Sequence, residues 1–268
     1  MAGNSEFQPA ANQGLLAGFG NLFRAEMRSW WRTRTWWIQT LIWVAAVDGL
    51  LLTIISSGVE GGLQELAPLY GVFGGLFTAV AVIIIVQGAV VGEKIDGTAA
   101  WVLSKPVSRA AFLLAKWLGN AIGIAVTMVL VPGLLAFLVF TQYAGLTVRF
   151  IDFAAGMGTV LLFNLFWLSL TLMLGAFFSA RGAVIGIPMA LLLGQQFFAG
   201  AIMQLSERIL EFLPYALIMP DTVVPGQSLA SQAIMGTPLA TGWPIIATII
   251  LIVALTWFGI RRFEQEEL

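Results

Sequence analysis

Four polar side chains inside long apolar runs are the residues best placed for chemistry in this sequence. They are Asp48, Asn164, Gln195 and Gln196. In a membrane, a carboxylate among apolar residues faces the bundle interior or water, and amide groups exchange hydrogen bonds. Three states fit Asp48: protonated, hydrogen-bonded to Asn164 or a glutamine, or exposed to an aqueous path. We treat the four as candidate pathway residues, although hydrogen bonds that only join helices would use the same groups.

The residue types that are missing exclude several kinds of enzyme. The sequence contains no Cys and no His, so it lacks the groups for thiolate or Ser-His catalysis and for His-ligated metals. Its lysines follow Glu93, Ser104 and Ala115 and never a glycine, so the phosphate-binding loop G-x-x-x-x-G-K-[ST] does not occur. We predict that the chain is not an enzyme. Its net charge of −1 gives no indication of nucleic-acid binding.

The elements that position these residues are predicted to be membrane helices. Of the 268 residues, 59% are hydrophobic and only 10% are charged, more apolar surface than a soluble domain of this size can bury. A helix needs roughly 20 residues to cross the hydrocarbon core. Six apolar runs reach about that length: 36–57, 69–92, 110–140, 153–178, 183–204 and 242–260. The sequence therefore predicts an all-α membrane protein, with residues 1–268 forming one transmembrane domain.

The distribution of Lys and Arg predicts the orientation of the six helices. With the N-terminus placed inside, eleven of the 13 cationic residues lie in inner segments, and only Arg149 and Arg208 lie outside. Cytoplasmic loops carry such an excess of positive charge. Both termini are therefore expected in the cytoplasm.

Residues 13–35, before the first run, have the pattern of an amphipathic helix. Apolar residues recur every three or four positions, and Arg24, Arg28 and Arg32 form a basic ridge at i, i+4 spacing. We expect this helix to lie in the cytoplasmic interface, with its cations toward anionic headgroups. It serves either as a plain anchor or as a contact for a partner.

The loop after the second run, residues 93–109, is the densest polar cluster between runs. Pro106 should end a short helix near Ser104, and Ser108 is a suitable N-cap for the third run. The apolar residues between the charges are typical of a short helix that docks a partner rather than of a bare loop. The candidate docking residues are Glu93, Lys94, Asp96, Gly97, Thr98, Trp101, Leu103, Ser104 and Pro106.

The segment 205–241, between the last two runs, is too apolar for a free loop and is interrupted by Pro214, Pro220 and Pro225. It is also too short for two further spans. We predict one or two re-entrant helices that cap the outer end of the bundle, because irregular backbone at membrane depth must be buried in protein or line a cavity.

The pattern in the 93–109 loop resembles the permease subunits of type-2 ABC transporters, in particular the simple bacterial six-helix members. A glutamate (Glu93) is followed by Gly97-Thr98, a short apolar stretch and the turn Ser104-x-Pro106-Val107-Ser108-Arg109. The run 24–28 and the charged ending 261–264 are also similar to that family.

The resemblance implies a dimer of two permease copies with two ABC ATP-binding subunits on the cytoplasmic side. Residues 93–104 would be the coupling helix that rests on the ATPase. The chain itself would hold no cofactor, since ATP and Mg²⁺ would be bound by the partner. The family implies an exporter in a bacterial or archaeal plasma membrane, in contact with membrane lipid.

Three other classes of function stay open from the residues. A non-transporting scaffold or accessory subunit would use the same loop to hold a soluble partner. A membrane-embedded enzyme would have to rely on Asp48 together with Glu207, Glu211 and Asp221 outside, where two carboxylates can hold a metal. An ion channel is the third class, but this function would not explain the docking loop.

Overall fold

The structure is a computed structural model that describes residues 14–58, 62–205, 209, 212–222 and 224–266. The regular elements within these ranges are helical. Their bounds are α1 Phe19–Arg32, α2 Trp36–Ser56, α3 Leu63–Ile95, α4 Thr98–Leu103, α5 Arg109–Tyr143, α6 Phe150–Phe177, α7 Arg181–Leu205, α8 Leu229–Ile234 and α9 Trp243–Glu264.

Five of these helices are long and apolar enough to cross a membrane: α2, α3, α5, α6 and α9. They correspond to five of the six apolar runs in the sequence. The remaining run coincides with α7, whose described apolar part, Arg181–Gln195, is shorter. The count of six spans, and the orientation of the chain, stay predictions.

The long helices contain π-helical turns, which interrupt α2 at Val44–Asp48, α3 at Phe73–Phe77 and α5 at Ala125–Leu130, and a further one ends α5 at Val139–Tyr143. The π-turn of α2 contacts that of α3 and the neighbouring part of α5. Such turns are rare in proteins overall, and those that occur are often found at functional sites. Asp48 is the last residue of the π-turn in α2.

The centre of the bundle is α6, which contacts α3, α8 and α9. In its most apolar window 67% of the residues are buried, against 22% for α2 and for α9. The latter two helices therefore present apolar surface to the surroundings, as expected for helices that face lipid or a second protein.

Helix α1 lies against the beginning of α5, and two glycines make the close approach possible. A methyl group at Gly119 would meet Glu26 Cβ at 2.7 Å, and one at Gly123 would overlap the ring of Trp30. Trp30 is 6% exposed as a result. The basic residues Arg24, Arg28 and Arg32 are all exposed on α1. Whether α1 lies in the membrane interface stays a prediction.

The described part of the predicted outer segment folds against the bundle. It forms a 3₁₀ turn at Pro214–Leu217 and the six-residue α8, whose N-cap Ser228 and Ser231 exchange hydrogen bonds in a capping box. Leu217, Ile218 and Leu229 are fully buried. The segment is thus folded rather than a free loop, while its depth in a membrane stays a prediction.

Candidate functional site

The segment 93–109, hereafter the coupling segment, turns sharply between α3 and α4. Gly97 has a φ of 69°, a left-handed conformation that glycine adopts without strain. Helix α4 then ends at Leu103, ahead of Pro106. The Ser108 hydroxyl accepts a hydrogen bond from Ala111 N at 3.0 Å and caps α5. The short helix that ends near Ser104 and the Ser108 cap are confirmed.

One face of the coupling segment is exposed. The exposed members are Ile95, Asp96, Gly97, Thr98, Ala100, Trp101, Ser104, Lys105 and Pro106. Trp101 is 64% exposed, and the Lys105 ammonium lies 3.5 Å from the centre of its ring. Ala99 is fully buried and Leu103 is half-buried on the other face. Helix α4 therefore packs one face on the bundle and presents an indole flanked by charges.

The first two charges of the coupling segment face the chain itself. The Lys116 ammonium, on α5, lies 2.5 Å from Glu93 Oε1 and 2.8 Å from Glu26 Oε1 of α1. Lys116 is only 3% exposed. This ion-pair cluster joins the end of α3 to α1 and α5.

Lys94 does not join this cluster and contacts residues near the C-terminus instead. Its ammonium lies 2.7 Å from the Glu266 carboxylate and donates to the Ala176 carbonyl at 3.0 Å. It also lies 5.9 Å from the centre of the Phe263 ring, which is stacked on Phe112 at 5.3 Å. Both Glu93 and Lys94 were predicted to dock a partner, and their ion pairs within the chain leave Asp96 as the acidic residue on the exposed face. The docking roles stay predictions.

The candidate pathway residues do not form one cluster. The Asn164 amide donates to the carbonyls of Val160 at 3.0 Å and Gly74 at 3.4 Å, and its oxygen accepts from Thr78 at 3.0 Å. The bonds with Thr78 and Gly74 join α6 to α3, so Asn164 contributes to helix packing. Gln195 is half-buried, and its Nε2 has no partner within the described ranges. The side chain of Gln196 lies outside the described residues.

Asp48 is 4% exposed, and neither carboxylate oxygen has a hydrogen-bond partner among the described residues. In particular it makes no bond to Asn164 or Gln195, which was one of the three states that fitted the sequence. It lies in the π-turn of α2, against α3 and α5. An unpartnered buried carboxyl group is costly in a folded protein, which keeps Asp48 as the strongest pathway candidate.

A model of the family described as ABC-2 family transporter protein matches residues 20–268 of the sequence. The chain belongs to the ABC-2 transporter family. The match runs from α1 to the end of the chain, and it supports a permease, the membrane component of a transporter, which in this family works with an ATP-binding partner. No curated protein sequence matches the chain.

In this ABC-2 permease the sequence pattern missed the residues that hold the coupling segment. Glu26, Lys116 and Glu266 bind Glu93 and Lys94, and none of them was a candidate. Lys116 was detectable as the one Lys or Arg within the apolar run 110–140. The sequence around Glu266 has no pattern that would have predicted its ion pair with Lys94. Among the described residues of the permease, no three carboxylates come together as metal ligands would.

Proposed function

We propose that this ABC-2 permease is the membrane-spanning subunit of an ATP-driven exporter, and that two ATP-binding subunits contact its coupling segment. The observation that carries the proposal is the exposed indole of Trp101, which the Lys105 ammonium contacts and which shares the exposed face of the coupling segment with Asp96. A tryptophan that is 64% exposed on a short helix is poorly placed for water and is the residue type most enriched in the energetic centres of protein interfaces. Asp96 and Lys105 supply the polar rim around it.

The ion pairs behind α4 suggest how a displacement would pass into the membrane. Glu93 connects to α1 and α5 through Lys116, and Lys94 connects to the end of α9 through Glu266. A push on α4 therefore acts on α1, α5 and the end of α9 besides α3. Closure of the two ATPases would move these elements together and alternate the access of a path between the two sides.

The path itself would form between two copies of the permease. Among the five candidate spans, α2 and α9 have the smallest buried share, and α2 also carries Asp48, which is buried against α3 and α5. With α7 as the sixth span, both termini would lie in the cytoplasm of a bacterial or archaeal cell. Gln195 and Gln196 on α7 would join Asp48 as pathway residues. Residues 212–241 would cap the outer end as re-entrant elements, and Arg24, Arg28 and Arg32 would face anionic headgroups.

The test is whether Trp101 holds an ATPase. The permease is purified from its host with bound proteins, and the ATPase activity per permease is measured for wild type, Trp101→Ala and Asp96→Lys. We expect at least about a tenfold loss of bound ATPase for Trp101→Ala. Trp257→Ala is the matched control, since Trp257 is 50% exposed but lies on α9.

Equal retention of the ATPase in Trp101→Ala and Trp257→Ala would contradict the docking role of the coupling segment. Wild-type permease that carries a stoichiometric partner without ATPase activity would instead support the scaffold function.

A further inference from the structure

A cavity of about 410 Å³ lies between α1, the end of α3 and the beginning of α5. Its wall has an apolar part made by Trp30, Ile85 and Ala89. The other lining residues are Ala25, Glu26, Ser29, Thr33, Glu93, Lys116 and Asn120. The volume falls within the roughly 300–1,000 Å³ of small-molecule sites. The cavity is thus large enough for a ligand, and its wall is divided into an apolar and a polar side.

The polar side of the cavity has more hydrogen-bond acceptors than the Lys116 ammonium donates to. Lys116 bonds to Oε1 of Glu26 and to Oε1 of Glu93, and no described residue donates to Oε2 of either carboxylate. Asn120 is 6% exposed and donates its Nδ2 hydrogen to the Lys116 carbonyl at 2.8 Å, which leaves its Oδ1 without a partner among the described residues. Among the described lining residues, one ammonium also faces two carboxylates, which leaves the wall with a net negative charge. The wall therefore favours a ligand that brings a positive charge and several N–H donors.

We infer that this cavity binds the ammonium group of an amphiphilic amine and takes its hydrocarbon chain against the apolar wall. A primary ammonium has three donors, which match the free oxygens of Glu26 and Glu93 and the amide oxygen of Asn120. Trp30, Ile85 and Ala89 form the apolar wall, against which methylene groups would be buried. This inference goes beyond the role of the permease in a transporter, since it needs no ATPase and does not require that the amine is the cargo.

The test measures binding of radiolabelled dodecylamine to the full-length chain in nanodiscs of phosphatidylcholine. We expect a saturable component that unlabelled dodecylamine displaces and that dodecanol, with the same chain and no charge, does not. Binding that is not saturable, or that dodecanol displaces as well as dodecylamine does, would overturn the inference. This comparison uses wild-type protein and is independent of any variant.

Glu26→Gln locates the site, because it removes one carboxylate while Glu93 still neutralises Lys116. We expect about a tenfold weaker affinity for dodecylamine, as for the loss of a charged hydrogen-bond acceptor. Glu264→Gln is the matched control, since Glu264 pairs with Arg261 at 3.5 Å outside the cavity, and its affinity should equal that of wild type. Equal affinity of Glu26→Gln and Glu264→Gln would place the amine elsewhere and refute the site. Because no ATP-binding subunit is present, failure here leaves the docking of an ATPase untouched.

Discussion

The guanidinium of Arg109 donates to the main-chain carbonyl of Phe263 at 3.1 Å, across 154 residues of sequence. It also donates to the Glu264 carbonyl at 2.9 Å and the Glu266 carbonyl at 2.5 Å. The last carbonyls of a helix have no partner within the helix and carry the negative end of its dipole. The first residue of α5 therefore caps the end of α9, next to the coupling segment.

Replacing Arg109 should weaken this cap. We expect Arg109→Gln to lower the free energy of unfolding by about 1–3 kcal/mol, since several charge-assisted hydrogen bonds are lost. Thermal unfolding of the detergent-solubilised chain measures the change. Arg109→Lys should recover part of the loss, because it keeps the charge. Arg32→Gln is the control, since Arg32 is exposed; a loss as large as that of Arg109→Gln would contradict the capping role.

The ion-pair cluster around the buried Lys116 ammonium predicts a clear effect at this residue. Lys116→Met leaves the carboxylates of Glu26 and Glu93 without a cation, and because their side chains are 21% and 31% exposed and so partly hydrated, we expect a loss of about 1–3 kcal/mol, less than for a fully buried pair. The triple variant with Glu26→Gln and Glu93→Gln should recover most of that loss, because the stranded charges are gone. Unfolding in sodium dodecyl sulfate provides the comparison. A triple variant no more stable than Lys116→Met would show that packing, and not charge, sets the role of Lys116.

Gly123 is in close contact with Trp30 of α1. Adding one methyl group at Gly123 should therefore displace α1 from α5. Gly123→Ala should cost about 1–3 kcal/mol, as overpacking does, and should expose α1 to limited proteolysis. Gly158→Ala is the matched control in α6, where an added methyl group meets nothing within 4 Å. It should keep or raise stability, since alanine has the better helix propensity. The same protease pattern in both variants would rule out the close approach of α1 and α5.

Neither carboxylate oxygen of Asp48 has a hydrogen-bond partner in the part of the chain that the structure describes, so replacing Asp48 breaks no bond there. Asp48→Asn should therefore keep the free energy of unfolding or raise it by up to about 3 kcal/mol, the cost of a charge at that depth. Asn164→Leu is the contrasting variant, since it breaks the bonds to Thr78, Val160 and Gly74 and should lower stability. Denaturant titration in detergent measures both. A clear loss in Asp48→Asn would reveal a partner for the carboxylate.

Several features followed from short stretches of sequence. The apolar runs predicted five helices that the structure identifies as long enough to cross a membrane, and Pro106 and Ser108 predicted where α4 ends and α5 begins. These features depend on residues within a few positions of one another. The sixth span, the interfacial placement of α1 and the re-entrant segment need a membrane to be tested.

The partners of the charged residues did not follow from sequence. From the sequence, Glu93 and Lys94 were predicted to be charges that dock a partner. Only the structure shows that they form ion pairs with Lys116 and Glu266. Asp48 and Asn164 were equal candidates as polar residues in apolar runs, yet within the described ranges Asn164 has three hydrogen-bond partners and the Asp48 carboxyl group has none.

The sequence by itself determined that this protein is a helical membrane protein of the ABC-2 kind, which stretches of the chain form its five long apolar helices, and where α4 ends and α5 begins. Hydropathy and capping decide these properties locally, because each depends on a turn or two of backbone. Only the tertiary structure decided which side of α4 is exposed, which carboxylates share Lys116 and how Arg109 reaches the end of α9. Such contacts depend on how distant helices pack, and no spacing along the chain encodes that directly.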